Sequence, residues 1–452
     1  MNLGTFLRIA VFTALIFGFS TDASAQQQKA QKPNVILIFA DDMGYGDLSC
    51  YGHPVIQTPN IDKMACEGIR FTSFYAAASV CTPSRAALLT GRYPIRNIPT
   101  NCGPPDLEKG LPVSEITIAN ILKDEGYATM AIGKWHLGHG EKFLPTNRGF
   151  DQFYGLPYSN DMLLPWCPWL SEDDKLYLYE DDQPVKEIGW EQDKLTKNYT
   201  QRALDFMEAN SGEPFFLYLA HSMPHLPLAT SDEFRGHSKG GLYGDVIETI
   251  DWSTGQILLK LKELGLDEST LVILTSDNGP WHNLPDRMLQ RGVERWHAGS
   301  TGLLRGAKAS TYEGGFRVPG IIRWATHIEG NRVTSEMATT MDLFTTIAHV
   351  CGASLPGDRK IDGKNLLPLL NGALESPTET LFYCRGENLE AVRQGKWKYR
   401  VTESEGIQLF NLLLDPAEMY NVAAGYPDKA SEMHRQLKQF SKETGARFET
   451  GK

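Results

Sequence analysis

Asn34-Val35-Ile36-Leu37-Ile38-Phe39-Ala40-Asp41-Asp42-Met43-Gly44-Tyr45-Gly46-Asp47 decides how this chain folds. The run to Ala40 is apolar without alternation, so it reads as a strand buried on both faces, as in a parallel or mixed sheet covered by helices. Two adjacent carboxylates then cut it off. Three further strand-length runs end the same way. Residues 128–132 run into Gly133-Lys134-Trp135-His136, residues 215–220 into His221-Ser222-Met223-Pro224-His225, and residues 271–275 into Ser276-Asp277-Asn278-Gly279. Helices are expected after Thr58-Pro59-Asn60, at 116–122, at 199–209 and at 245–264. The alternation of strands and helices gives an α/β class. In open α/β sheets, sites form outside the carboxyl ends of the strands, where these polar residues fall.

Working outward, Ser79-Val80-Cys81-Thr82-Pro83-Ser84-Arg85-Ala86-Ala87-Leu88-Leu89-Thr90-Gly91-Arg92 reads as a loop entering a helix. Thr82 suits the N-cap, Pro83 the first helical position and Gly91 the stop. Cys81 then lies at an anion-favouring helix end, with Arg85 one turn on. The arrangement suits an oxyanion. Asp41, Asp42, Asp277 and Asn278 form an all-oxygen donor set that selects calcium or magnesium. No His or Cys lies at metal spacing with these acids in the sequence, so zinc fits poorly. Lys134 and His136 point the same way from an extended segment. His225 and Lys308 are placed to supply a proton to a leaving group.

The formal net charge of −11 argues against nucleic acid as a partner, so any anion must be held by a few local cations. Arg8, the apolar run 9–19 and Ala23-Ser24-Ala25 read as a signal peptide over residues 1–25. That run is shorter than the roughly 20 residues of a membrane span, so an exported protein without stable membrane insertion is expected, periplasmic or extracellular. The oligomeric state stays open. Cys50, Cys66, Cys102, Cys167, Cys351 and Cys384 are available for disulfides of undeducible connectivity. Residues 145–191 and 280–309 read as long loops. After a body at 33–360, residues 361–452 suggest a small antiparallel sheet with one covering helix.

Cys81-Thr82-Pro83-Ser84-Arg85 resembles the C-x-P-S-R signature of the type I sulfatases, and the likeness runs on through Thr90-Gly91-Arg92. Asp-Asp-Met-Gly-Tyr-Gly-Asp at 41–47, Gly-Lys-Trp-His-Leu-Gly at 133–138, Asp-Asn-Gly at 277–279 and Thr311-Tyr312-Glu313-Gly314-Gly315 follow in the family's order. The closing pattern from Leu409 to Glu418 also matches. Gly155-Leu156-Pro157-Tyr158-Ser159-Asn160-Asp161 is similar to a substrate loop of the arylsulfatase A and galactosamine-6-sulfatase branch.

The resemblance implies an alkaline-phosphatase-like, mostly parallel sheet and hydrolysis of a sulfate ester. It further implies that a maturation enzyme converts Cys81 to formylglycine. The hydrated aldehyde has two hydroxyls, one to attack sulfur and one to expel the sulfate. By the same resemblance, Asp41, Asp42, Asp277, Asn278 and the modified Cys81 would hold calcium, with magnesium as the alternative. Arg85 would hold the hydrated aldehyde, Lys134 the sulfate, and His136 would take a proton during sulfate release. His225 and Lys308 would bind sulfate and serve the leaving alcohol, and Ser159 would be a further sulfate contact. His221 is the rival to His225, which is preferred for its Pro-His-Leu-Pro context. A sulfated glycan is the first expected substrate, an aryl sulfate or sulfolipid the second. A phosphate or phosphonate monoester hydrolase is the alternative enzyme, and a non-catalytic sulfated-glycan-binding protein the alternative class.

Overall fold

The computed structural model describes residues 32–448, so the expected signal peptide at 1–25 lies outside the described residues. In chain order the strands of the main sheet are β1 (Asn34–Ala40), β2 (Ile69–Tyr75), β3 (Ala128–Lys134), β4 (Gln152–Leu156), β5 (Tyr177–Glu180), β6 (Gln183–Glu187), β7 (Phe215–Ala220), β8 (Thr270–Ser276), β9 (Arg317–Arg323), β10 (Arg332–Thr334) and β11 (Ala338–Thr339). Their order is β10-β2-β9-β8-β1-β7-β3-β4-β5-β6, with β11 paired to β2. The central strands β8, β1, β7, β3 and β4 are parallel, and antiparallel neighbours flank them on both sides.

The helices are α1 (Pro59–Cys66), α2 (Cys81–Thr90), α3 (Ile118–Asp124), α4 (Leu195–Ala209), α5 (Gly241–Glu263), α6 (Glu313–Phe316), α7 (Thr340–Cys351), α8 (Leu367–Leu370) and α9 (Pro427–Thr444). Strand β1 feeds two cores, as its unbroken apolar run predicts. Ile36, Ile38 and Ala40 pack with Tyr199 and Phe206 of α4 and Val246, Ile250 and Ile257 of α5. Val35, Leu37 and Phe39 pack with Leu88 and Leu89 of α2 and Leu343, Phe344 and Ile347 of α7. Each of the larger aliphatic and Phe side chains of β1, fully buried, contributes about 1.5–3 kcal/mol, so both faces anchor β1.

Two sequence expectations need correction. The stretch 145–191 is not all loop, because β4, β5 and β6 lie in it and widen the sheet. Strand β6 has all five residues exposed, so it lacks the apolar signal that marks a buried strand. None of the seven cysteines is disulfide-bonded; all are free thiols. Among the described residues no helix is long and apolar enough to cross a membrane.

A second sheet closes the chain: β12 (Thr380–Arg385), β13 (Asn388–Gln394), β14 (Trp397–Thr402) and β15 (Gly406–Asn411), an antiparallel meander. Met433, Leu437 and Phe440 of α9 cover it, in one core with Tyr75, Ala87, Tyr93 and Met341 of the main body. A buried ion cluster lies at this junction. Lys398 Nζ is 3.0 Å from Glu313 Oε1 and 2.8 Å from Glu418 Oε1, and all three side chains are 0% exposed. Tyr75 and Tyr383 hydroxyls also donate to Glu313, at 2.6 and 3.0 Å. Glu418 Oε2 accepts from the Glu313 amide at 2.7 Å. Burial alone would raise the Glu313 carboxyl, but Lys398, Arg393 and Arg317 hold it well below its usual range. Burial raises Glu418, with Lys398 opposing and Glu313 adding to the rise.

Candidate active site

Ala40 pairs with Ser276, so the residues that follow, Asp41 and Asp277, emerge level from β1 and β8. Strand β3 delivers Lys134 as its last residue, and β7 ends beside it, with Ala220 paired to Gly133. Gly133 has φ +98°, and a Cβ there would lie 1.8 Å from the Ala220 carbonyl oxygen, so no other residue fits this strand end. Asp42 and His136 take positive φ, +63° and +58°, turning their side chains at the sheet edge.

Helix α2 begins at Cys81, with Val80 in extended conformation as a cap residue that makes no side-chain bond. The expected capping role of Thr82 is therefore wrong. Thr82 already lies in the first turn, and its hydroxyl donates to the His136 carbonyl at 2.8 Å. Its free amide is capped from another segment, by Asn101 Oδ1 at 3.1 Å. Gly91 ends the helix as expected, at φ +67° with its amide bonded to the Ala87 carbonyl. All ten residues of α2 are buried.

Three cations and three carboxylates then interlock. Arg85 donates from Nε and Nη2 to Asp277 Oδ2, at 3.1 and 2.9 Å, and from Nη1 to the Lys134 carbonyl at 2.8 Å. Its Nη2 is 3.4 Å from Asp41 Oδ1. Lys134 Nζ donates to Asp41 Oδ2 at 2.5 Å and to Ser159 Oγ at 3.1 Å. Lys308 Nζ donates to Asp42 Oδ2 at 2.7 Å and lies 3.5 Å from Cys81 Sγ. The thiol in turn reaches Asp41 Oδ1 at 3.5 Å. His225 Nε2 is 3.6 Å from Asp42 Oδ2. Both ring nitrogens of His136 are buried without a partner. His221 lies elsewhere, with Nε2 3.5 Å from Ser253 Oγ on α5, away from the carboxylates.

Charge balance differs along the cluster. Burial would raise Asp41, but Lys134, Arg85 and Lys308 outweigh it and leave the carboxyl lowered. Burial pushes Asp42 up to about 7 despite Lys308, and burial with the Asp41 charge raises Asp277. Burial also lifts the Cys81 thiol above its usual value, against the pull of Lys134 and Lys308, so it is held as a thiol. His136 and His225 are pushed well below their usual range by burial and then by neighbouring lysines, and both are neutral.

These residues fit a divalent cation. Asn278 Nδ2 donates to Asp42 Oδ1 at 2.6 Å, while its Oδ1 is buried with no hydrogen-bond partner. An orphaned amide oxygen beside raised carboxylates is what a hard cation would satisfy. Potential ligand atoms of Asp41, Asp42, Cys81 and His225 all lie within 4.8 Å of one another. The fold thus brings a Cys and a His to the acids, which their sequence spacing had argued against. The correction follows from strands far apart in sequence ending side by side, with the first turn of α2 set against them.

Trp281 opens the loop 281–300, whose Trp content suits stacking on a sugar ring or an aryl group at the pocket's outer wall. Its ring centroid lies 5.7 Å from that of His225 and 5.1 Å from Lys308 Nζ. The signal was present, because Pro280 and Trp281 directly follow the Asp277-Asn278-Gly279 strand end. His282 instead pairs with the Gly299 carbonyl, and Trp296 stands 76% exposed.

A sulfatase family profile matches residues 33–353, and a profile described as N-sulphoglucosamine sulphohydrolase, C-terminal, matches 307–443. Arylsulfatase A of Bos taurus is 38% identical over 458 residues, covering 91% of this chain and 87% of that protein. N-acetylgalactosamine-6-sulfatase of Rattus norvegicus is 39% identical over 426 residues, covering 90% and 78%. The crystal structure of Ps i-CgsB in complex with k-i-k-neocarrahexaose is 31% identical, with a TM-score of 0.79 over 91% of this chain and 93% of that one. The buried acid and cation cluster, the C-x-P-S-R helix and these similarities lead to one conclusion: the chain belongs to the sulfatase family and is a sulfuric ester hydrolase.

Proposed function

We propose that this protein is an exported sulfatase that removes sulfate from a sulfated glycan, using formylglycine made from Cys81 and a bound calcium ion. The observation that carries this reading is the place of Cys81: a buried thiol with Lys308 Nζ and Asp41 Oδ1 each 3.5 Å away. A protonated thiol is a poor nucleophile. Formylglycine would supply instead a hydroxyl pair, one for attack on sulfur and one for release of sulfate, and calcium, which Asp41, Asp42, Asp277 and Asn278 would hold, would supply charge to polarise the sulfate oxygens.

The chain's own residues do the rest. Arg85, fixed by Asp277 and the Lys134 carbonyl, orients the hydroxyls at position 81. Lys134 and Ser159, bonded to each other at 3.1 Å, hold sulfate oxygens. His136, with both nitrogens unengaged, takes the proton of the remaining hydroxyl as sulfate departs. His225 and Lys308 face the leaving oxygen and stabilise its charge. The names of two relatives, an N-acetylgalactosamine-6-sulfatase and a protein crystallised with a neocarrahexaose, support a glycan substrate. Residues 1–25, with Arg8, the apolar run and Ala23-Ser24-Ala25, support export.

The burial of all of α2 supports conversion of Cys81 before that helix packs, with a formylglycine-generating enzyme as partner. The test pairs mass spectrometry of the Cys81 peptide with assays on sulfated sugars and aryl sulfates, after expression with and without that enzyme. Activity is expected to track the aldehyde fraction and to return to chelated protein with calcium more than with magnesium. Full activity from protein that retains the Cys81 thiol would overturn the mechanism.

A further inference from the structure

We propose that the cavity between Trp166, Trp190 and Arg291 is a subsite for an acid-bearing sugar unit next to the one that carries the scissile sulfate. The proposal rests on the glycan reading above and extends it to the neighbouring residue of the substrate. The cavity measures about 160 Å³, room for one ring. The indole rings of Trp166 and Trp190 lie 4.4 Å apart at 56°, giving an aromatic corner. Trp166 is 1% exposed, yet its Nε1–H has no partner. A buried donor without an acceptor costs stability and is satisfied by whatever fills the space beside it.

Arg291 adds charge. Its guanidinium lies 5.5 Å from the centroid of the Trp190 ring, and its hydrogen bond among the described residues is to the Trp190 carbonyl, not to a carboxylate. Arg235, also on the wall, is already paired with Asp193 at 3.1 Å. In a chain of net charge −11, this leaves one uncompensated guanidinium on an aromatic corner. That combination suits a sugar ring with a carboxylate or sulfate: ring faces stack on indole, and a planar fork matches the acid group.

One buried amide pair ties the cavity wall to the segment that carries Ser159. Asn160 Nδ2 donates to Gln192 Oε1 at 3.0 Å, and Gln192 Nε2 returns a bond to the Asn160 carbonyl at 2.8 Å. Gln192 lines the cavity, and Asn160 follows Ser159. Pro227, also on the wall, comes two residues after His225. Both of these wall residues are therefore tied to chain neighbours of groups placed at the reaction centre, Ser159 and His225.

Tetrasaccharides from chondroitin sulfate carry a carboxylate on the neighbouring sugar, those from iota-carrageenan a sulfate, and those from kappa-carrageenan no acid there. Each is measured as an inhibitor of 4-nitrophenyl sulfate hydrolysis and, without turnover, by tryptophan fluorescence titration. In Arg291→Ala the preference for acid-neighbour over kappa tetrasaccharides is expected to fall about tenfold, the scale of one charge-assisted bond. Arg291→Lys should keep part of it. The chondroitin and iota arms decide between carboxylate and sulfate. Equal preferences in Arg291→Ala and the parent protein, by both readouts, would overturn the subsite. Absence of 4-nitrophenyl sulfate hydrolysis in the parent protein would count against the sulfatase mechanism, while the fluorescence titration still decides the subsite.

Discussion

Replacing Lys308 by methionine removes one charge from the site and little of its packing. The side chain is 12% exposed, against 0% for Arg85 and Lys134, so the change leaves no deep cavity. Its Nζ lies 2.7 Å from Asp42 Oδ2, an attraction of about 6 kcal/mol at an effective dielectric of about 20. A cation bound by Asp42 must compete with that attraction, so methionine should leave calcium affinity equal or higher. The cost falls on the reaction. One donor aimed at charge that develops in the transition state is worth about 3–4 kcal/mol, so kcat should drop about 100- to 1000-fold. Stability should change less, because Asp42, already raised to about 7 by burial, can take a proton once Lys308 is gone. The assay is kcat on 4-nitrophenyl sulfate at saturating calcium, with Tm followed as calcium is added. A kcat within tenfold of the parent would refute the role given to Lys308. So would activity restored by excess calcium, since the lysine would then act only through the metal ligands.

Trp281→Ala should raise KM about tenfold for ring-bearing sulfate esters and spare small alkyl sulfates, from the stacking and area lost beside His225 and Lys308; equal effects on both substrate types would refute ring recognition. Lys398→Met should destabilise the protein by about 3–5 kcal/mol, because two fully buried carboxylates lose their shared cation, and Glu418→Gln in the same chain should recover part of the loss; thermal unfolding of the parent and both variants measures this. Glu313, lowered in the folded state from its usual 4.5, contributes stability above that pH and loses it as the pH falls further, since the unfolded chain then binds the extra proton. Glu313→Gln should therefore flatten the acid limb of the stability curve below about pH 4.5, and an unchanged limb would sink that assignment.

The strand ends were legible because two signals coincide there. A buried run such as 34–40 has one structural reading, and a carboxylate pair directly after it cannot continue the run. Asp41, Asp42, Asp277, Asn278 and Lys134 follow from that logic, and the family motifs add Cys81 and Arg85. Other features depend on partners that sequence spacing does not reveal. Thr82 looked like a cap until the His136 carbonyl claimed its hydroxyl, and the real cap comes from Asn101. His225 approaches Asp42 because strands β1 and β7 end together, and Cys81 approaches Asp41 because α2 begins beside those strand ends. Strand β6 escaped notice because an exposed edge strand carries no apolar period. Glu313, Lys398 and Glu418 lie far apart in sequence, and nothing local to any of them announces a buried triad.

That triad also sets a clock. Lys308 rides on a segment pinned at one end by the Ala309 amide to the Ser79 carbonyl and at the other by Glu313 to Glu418. Its second anchor is therefore synthesised about 340 residues after Cys81, which at roughly 5–20 residues per second takes on the order of half a minute. During that interval the strand ends at Lys134, His225 and Asp277, then the Lys308 segment and last the closing sheet, are added one after another around Cys81. Order of synthesis alone thus opens a period in which position 81 is accessible to a modifying enzyme, and closes it with the last strands of the chain.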